Sequence, residues 1–268
     1  MREALETVRK SAVITNGSGG MMRYLAALLG VCLCLASAPA FAIGTEKTAL
    51  RDGFAFPKDR PVRILVFRPD VHVGEQGAGG VNTPKADWTD TARTELGAAL
   101  ERQQATLKNE LISMPELEGE PGALLADYRA LFQAVTNAVM VHKLFPGNRL
   151  PTKKESFDWT VGPGAAKLGE LGGGDYALFV YTFDSYGSAG RKAMQIFGAM
   201  MGVGLTSGVH IGYAGLVDLK TGDLVWINAD VQMGGDVRDA EGADKRIAQL
   251  LEGFPGRATG DVQVVETN

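Results

Sequence analysis

Residues 211–231 read IGYAGLVDLKTGDLVWINADV and contain two apolar runs on either side of a short polar segment. The runs 211–219 and 224–231 are rich in β-branched and aromatic residues, which favour strands. The segment between them, Lys220-Thr221-Gly222-Asp223, is typical of a turn, because Gly222 can adopt a positive φ angle. This stretch therefore predicts an antiparallel hairpin in the carboxyl-terminal part of the chain.

The segments around this hairpin predict further strands and helices. Residues 62–67 and 176–182 are short apolar runs that predict buried strands. Apolar residues recur at helical spacing from Asp87, a possible N-cap, to about residue 105, and again over residues 121–145. Residues 239–251 predict a closing helix with one apolar face. This order of elements indicates an α/β fold, a three-layer mixed sheet with helices packed on it.

The remaining segments predict connections rather than core elements. Residues 43–60 are rich in charge and predict an extended arm, and residues 74–80 predict a flexible glycine-rich loop. Residues 164–171 predict a short helix that ends at a run of glycines. We expect one α/β domain over residues 61–258, followed by a tail at 259–268.

The amino-terminal segment has the composition of a cleavable export signal. Arg23 precedes an apolar stretch at residues 25–36, and Ala40-Phe41-Ala42 offers small residues to a signal peptidase. The stretch is shorter than the ~20 residues that span a bilayer. Residues 1–20 are polar, so we expect the native start at Met21 or Met22, with residues 1–42 forming an upstream extension plus signal. The alternative is a genuine translated extension. We expect the mature chain in the periplasm or outside the cell.

Both cysteines, Cys32 and Cys34, lie inside this signal. After cleavage near Ala42, no thiol remains for a disulfide, a zinc site or nucleophilic catalysis. Val31 and Leu33 precede the two cysteines where a lipoprotein signal has a small residue, so we do not expect lipid anchoring.

The charge balance argues against nucleic acid as a partner. The chain carries 27 Lys and Arg against 31 Asp and Glu, a formal net charge of −4. Neutralising phosphates requires clustered basic residues, and the sequence has no such stripe.

No motif in the sequence predicts catalysis, a metal site or a cofactor. The three histidines lack metal-ligand spacing, Gly162 to Lys167 lacks the Lys-Ser/Thr ending of a phosphate loop, and residues 187–190 lack the spacing of a hydrolase elbow. We therefore expect a protein that is not an enzyme. The alternative is a small-ligand binder or hydrolase with a site at strand ends, where mixed sheets often bind ligands. Its candidate residues are His72, Asp184, Ser185 and His210.

Residues 193–205 contain more apolar side chains than one helix face needs. Methionines adapt to irregular surfaces, and two glycines one helical turn apart permit close backbone approach. The segment is compatible first with burial within the protomer, then with an interface to a partner or a second copy, and finally with a membrane surface; if the protein has a contact surface, we expect it here. The interface candidates are Met194, Phe197, Gly198, Met200, Met201 and Gly202.

The hairpin sequence from Gly215 to Trp226, with its Leu-Val-Asp-x-x-Thr-Gly core, follows a strand at residues 174–180. This pattern resembles that of envelope proteins of the curli-exporter (CsgG) and TolB amino-terminal-like group. The resemblance implies a three-layer α/β domain of the anticodon-binding-like type that is exported and acts as an assembly or accessory component without catalysis. Residues 193–205 do not alternate as channel-forming strands do, so we predict no pore. The leading hypothesis is a periplasmic, non-enzymatic domain that binds an envelope protein or itself, and a peripheral membrane module is the alternative.

Overall fold

The computed structural model describes residues 47–256, except for residues 105–106, 108, 145–147, 154 and 207. The expected signal in residues 1–42 and the expected tail at 259–268 lie outside the described residues. All described elements belong to one compact unit. No helix in the described ranges has both the length and the apolar character needed to cross a bilayer.

The described residues form one eight-stranded sheet and five α-helices. The strands are β1 (Lys47–Leu50), β2 (Arg63–Val66), β3 (Asp70–Gln76), β4 (Asn82–Pro84), β5 (Glu110–Ser113), β6 (Tyr176–Gly187), β7 (Gly208–Asp218) and β8 (Leu224–Asp230). The helices are α1 (Ala86–Gln104), α2 (Gly119–Val139), α3 (Ala166–Gly172), α4 (Ala189–Met200) and α5 (Ala240–Leu250). A π-helical turn, Met140–Leu144, continues α2.

Strand β6 is the centre of the sheet. Along one edge it pairs antiparallel with β7 from Tyr176 to Tyr186. Along the other edge it pairs in parallel first with β2 and then with β3, so two short strands share one edge of the long one. The order across the sheet is β1-β8-β7-β6-β2-β5, and β4 joins the outer side of β3.

Each face of the sheet carries its own apolar cluster, which produces three layers. On one side, Leu96 of α1 and Ile247 of α5 pack with β6 residues such as Leu178. On the other side, Phe132 of α2 stacks on Phe179 of β6 at 4.9 Å between ring centroids. We name these the α1/α5 face and the α2/α3 face. The predicted α/β class, the hairpin of β7 and β8 and the closing helix are confirmed.

The turn of the hairpin is built as its sequence predicts. Gly222 has a φ of 77°, and the Asp218 carboxylate accepts hydrogen bonds from the backbone N–H groups of Lys220 and Thr221 at 2.8 and 3.2 Å. The backbone of Gly162 occupies the space that a Cβ on Gly222 would need. This position therefore requires glycine both for its conformation and for its close contact.

The prediction of a loop over residues 74–80 is wrong in its first part, because β3 continues to Gln76. Gly74 lies in the strand, where the side chain of Asn82 and the carbonyl of Thr83 occupy the space of a Cβ. Glycine here marks a close approach of β4 rather than a flexible connection.

Two other expectations change at the amino-terminal side of the domain. Asp87 lies in the first turn of α1, which begins at Ala86, so it is not the N-cap. Residues 47–50 of the expected arm form β1 and pair antiparallel with β8, which places a strand at the sheet edge.

We predict that Gly222→Ala destabilises the domain. Forcing a non-glycine residue to this φ costs about 1 to 3 kcal/mol, and the contact with Gly162 adds to that cost. The matched control is Gly97→Ala, in the interior of α1, where a Cβ meets no atom within 4 Å. There alanine is expected to raise the free energy of unfolding by about 0.5 to 1 kcal/mol. Urea unfolding measures both changes, and equal stability of Gly222→Ala and the wild type would contradict the prediction.

Candidate functional site

The four residues of the expected ligand site do not form one site. Asp184 of β6 and His210 of β7 are register partners, and their side chains meet on the α1/α5 face, with His210 Nδ1 at 2.7 Å from Asp184 Oδ1. Ser185 follows Asp184 in the strand and so points to the other face, where its hydroxyl donates to Asn82 Oδ1 at 2.9 Å. His72 is the register partner of Phe183 and lies on that same α2/α3 face. Two of the four residues therefore lie on the α1/α5 face of the sheet and two on the α2/α3 face.

The Asp184 carboxylate is the centre of a buried polar cluster. It accepts hydrogen bonds from Nη1 and Nη2 of Arg246 at 2.9 and 2.8 Å and from the Thr182 hydroxyl at 2.7 Å. Arg246 and Asp184 are both 0% exposed. The remaining N–H groups of Arg246 donate to Thr182 Oγ1 and to the carbonyls of Gly234 and Gly235. All five guanidinium donors therefore have acceptors.

Sequence reasoning assigned no role to Arg246. It belongs to α5, where Ala243, Ile247 and Leu250 are buried, and it occupies the same face as these three residues. The signal that could have identified it is the spacing 243, 246, 247, 250, which places one charged residue inside an apolar stripe.

The environment of Asp184 keeps its carboxyl ionised. Burial acts to raise its pKa, but the hydrogen bonds from His210 and Arg246 and the charge of Arg246 outweigh burial, and the pKa lies below its ordinary value. His210 Nδ1 then serves as the donor to this carboxylate. Among the described residues, no serine, threonine or cysteine side chain hydrogen-bonds to the His210 ring.

Aromatic and charged side chains cover this cluster. The Tyr186 ring lies 4.9 Å from the His210 ring, and the Arg238 guanidinium lies over the Tyr186 ring at 3.9 Å and over Trp88 at 4.4 Å. Burial raises the pKa of Tyr186, whose hydroxyl accepts a hydrogen bond from the Val237 N–H at 3.0 Å. Arg238 also binds Asp236 and, by hydrogen bonding, lowers the pKa of that carboxyl to about 2. Through Tyr186 and Arg246, which hydrogen-bond to the backbone of residues 234–237, the cluster holds the segment 231–239 against the end of β6.

Helix α4 carries the expected interface. The Ser188 hydroxyl caps its start by accepting from the Arg191 N–H at 3.1 Å. At its end, the N–H of Gly202 bonds to the Ala199 carbonyl and the N–H of Val203 to the Gly198 carbonyl, which is a Schellman motif. Gly202, with a φ of 75°, therefore terminates the helix. The close approach expected at both glycines is present at Gly198, where a Cβ would lie 3.0 Å from the Val203 carbonyl oxygen, but not at Gly202, which lies beyond the end of the helix with no atom within 4 Å.

The apolar side chains of this segment point away from the domain. Six of them are between 44% and 80% exposed, and we name them together the α4 surface: Met194, Ile196, Phe197, Met200, Met201 and Val203. The side of α4 that faces the domain instead holds Arg191, Gln195 and the buried Gly198. Arg191 Nε donates to the Thr206 carbonyl at 2.8 Å and so ties the helix to the chain that follows it. The alternative in which the protomer buries this segment does not hold.

A groove with no charged lining residue opens on the α2/α3 face, between the carboxyl-terminal half of α2 and the ends of β6 and β7. Its volume is about 350 Å³. We name it the α2 groove, and its lining residues are Gln133, Asn137, Met140, Val141, Tyr181, Phe183, Ile211, Tyr213 and Val231. Burial raises the pKa of Tyr181 and Tyr213, whose rings stack at 4.6 Å in the floor. Among the described residues, no three His, Cys, Asp or Glu side chains lie close enough together to hold a metal ion.

We predict that Arg246→Met lowers the free energy of unfolding by about 3 to 5 kcal/mol, because it leaves the Asp184 carboxylate buried without its cation. The double variant Asp184→Leu/Arg246→Met removes both charges and is expected to be more stable than Arg246→Met alone. Chemical denaturation of the wild type, Asp184→Leu, Arg246→Met and the double variant measures the coupling energy between the two residues. Strictly additive effects would contradict a paired role.

The acid range provides a second test of Asp184. Because its folded-state pKa is depressed, its stabilising contribution is present above the unfolded value of about 3.9 and is lost as the pH falls through the lower folded value. The stability difference between wild type and Asp184→Asn is therefore expected to shrink as the pH falls below about 4. Urea unfolding at constant ionic strength measures it, and a difference that stays unchanged down to pH 2 would rule out a depressed pKa.

Comparisons with known proteins leave the family open. No family model matches the chain, and no curated protein matches it. Among solved structures, the chain is similar at 13% identity and a TM-score of 0.34 to the PelC dodecamer from Paraburkholderia phytofirmans, over 80% of this chain and 99% of that one. A variant of that dodecamer with one leucine replaced by methionine gives the same identity and TM-score over 80% and 100% of the two chains. Lipoprotein GNA1162 from Neisseria meningitidis is similar at 16% identity and a TM-score of 0.26, over 63% of this chain and 78% of that one. Likenesses this distant carry no conclusion about fold or function.

Proposed function

We propose that this protein is an exported, non-enzymatic accessory or assembly component of the cell envelope that associates with a second copy of itself through the α4 surface. The observation that carries the proposal is the orientation of α4, whose apolar side chains face outward while Arg191 and Gln195 face the domain. A helix on the surface of a soluble monomer has the opposite orientation. Such a surface is typical of a contact that another molecule covers.

The size of the apolar surface favours a contact with another molecule. Fully burying one large apolar side chain contributes about 1.5 to 3 kcal/mol. The α4 surface has six such side chains, so covering it offsets much of the association cost of about 4 to 15 kcal/mol. The methionines in this set adapt to the shape of a partner, because their side chains are unbranched and flexible.

The charge pattern of α4 favours a protein partner over a membrane surface. Helices that lie on membranes carry many Lys and Arg residues on their polar side. Helix α4 carries only two, Arg191 and Lys192, both in its first turn; Arg191 is directed at its own domain, and residues 193–203 contain no charged residue. A membrane contact would therefore have only Lys192 of α4 to interact with lipid headgroups.

The buried polar cluster supports a non-enzymatic role. Its donors and acceptors are used among Asp184, Arg246, Thr182 and His210, and the other two candidates, His72 and Ser185, lie across the sheet. The resemblance of the hairpin to the CsgG and TolB amino-terminal-like group belongs to this proposal, since it implies an assembly role without catalysis. Export of the chain, expected from the signal in residues 1–42, is also part of the proposal.

We predict that the protein purified after processing in cells is larger than one chain by size-exclusion chromatography with light scattering. Met200→Ser/Met201→Ser should shift it toward the monomer and raise the dissociation constant at least tenfold, about 1.4 kcal/mol, because two exposed anchors lose their apolar character. The control is Val81→Ser, which changes a side chain that is 74% exposed on the turn between β3 and β4.

A strict monomer at all concentrations, or an oligomer unaffected by the double substitution, would overturn the proposal. Flotation of the monomeric protein with lipid vesicles, abolished by Met200→Ser/Met201→Ser, would establish the membrane alternative instead.

A further inference from the structure

We infer that the α2 groove of one copy receives the α4 surface of another. This inference rests on the proposed function and names the receiving side of the same contact. The two surfaces are built from different elements, α4 on one side and α2 with the ends of β6 and β7 on the other.

The groove exists because α2 covers only part of its face of the sheet. Phe132 in the middle of α2 stacks on Phe179 and lies 6.0 Å from the Tyr213 ring, so this part of β6 and β7 is closed. The next pair of residues on this face toward the end of β6, Phe183 and Ile211, are opposite each other in register and are only partly buried. The sheet therefore presents an apolar floor to a segment from outside the protomer.

The electrostatic character of the two surfaces matches. Residues 193–203 contain no charge, and neither does the lining of the α2 groove. Two other grooves in the described part of the chain are different. The groove beside α1 is lined by Arg68, Glu101 and Glu116, and the one beside α3 includes Arg60 and Glu170. Covering either of those with an apolar helix would remove charges from water without a partner, which is costly.

The spacing of the α4 surface fits binding of a helix in a groove. Met194, Phe197 and Met201 lie at positions i, i+3 and i+7 of one stripe, which is the anchor pattern of an amphipathic helix seated in an apolar groove. Met140 and Val141 form the outer wall that such anchors would contact, and Val141 is 45% exposed.

A contact between two different surfaces predicts complementation, which a contact of α4 with α4 does not. The test uses Val141→Arg, which places a charge in the groove and leaves α4 intact, and Met200→Ser/Met201→Ser, which changes α4 and leaves the groove intact. Each variant alone is expected to be monomeric by light scattering. Their equimolar mixture is expected to form a complex of two chains, with one intact surface from each. Circular dichroism and urea unfolding establish that both variants are folded.

Single-cysteine variants provide a direct readout on a Cys32→Ser/Cys34→Ser background. After oxidation of a mixture of Met200→Cys and Val141→Cys, we expect a disulfide between the two copies at a yield at least tenfold above that of a mixture of Met200→Cys and Val81→Cys. Disulfide formation requires Cα atoms within about 7 Å, so this product reports proximity of the helix to the groove.

The outcomes separate the inference from the proposed function. If the wild type is an oligomer but Val141→Arg does not change it and no disulfide joins position 200 to position 141, the contact between α4 and the α2 groove is overturned and self-association stands. If Met200→Cys links chiefly to itself, α4 packs on α4 and the groove is excluded as its site. If the wild type is monomeric, both the proposed function and the inference fail.

Discussion

The two-sided burial of β6 is the constraint on which the rest of the structure depends. A strand in the middle of three layers can satisfy its backbone only through ladders on both edges. Strand β7 supplies one of these ladders, and β2 and β3 together supply the other. The same strand leads through Gly187 to the Ser188 cap of α4. The position of the exposed helix is thus set by the strand that organises the core.

The polar cluster near the carboxyl-terminal end of β6 positions the elements packed around it. A buried ion pair contributes little net stability, because desolvation offsets the attraction of the two charges. Asp184 and Arg246 nevertheless determine where α5 and residues 231–239 lie relative to β6, since each of their polar atoms has a specific partner. We interpret the cluster as one that orients α5 and residues 231–239 on the sheet.

Elements with long apolar periodicity could be predicted from the sequence, whereas features that depend on distant contacts could not. The hairpin, α1, α2 and α5 follow from spacing and turn chemistry, but β3 does not, because His72, Gly74 and Glu75 interrupt its apolar pattern. The apolar run of β6 ends at Thr182, so its extension to Gly187, and with it the separation of Asp184 from Ser185, was not predicted. The orientation of α4 depends on the bond from Arg191 to the Thr206 carbonyl, which no local pattern reveals.

The alternation along β6 also limits how the gene can change. Shifting the register of this strand by one residue would exchange every side chain between the α1/α5 and α2/α3 faces. Asp175 holds the beginning of the strand, since its carboxylate accepts from the Arg63 N–H at 3.0 Å and its own N–H donates to the Arg63 carbonyl. We therefore expect a one-residue insertion or deletion within the twelve residues of β6 to be more disruptive than one in the connecting turns.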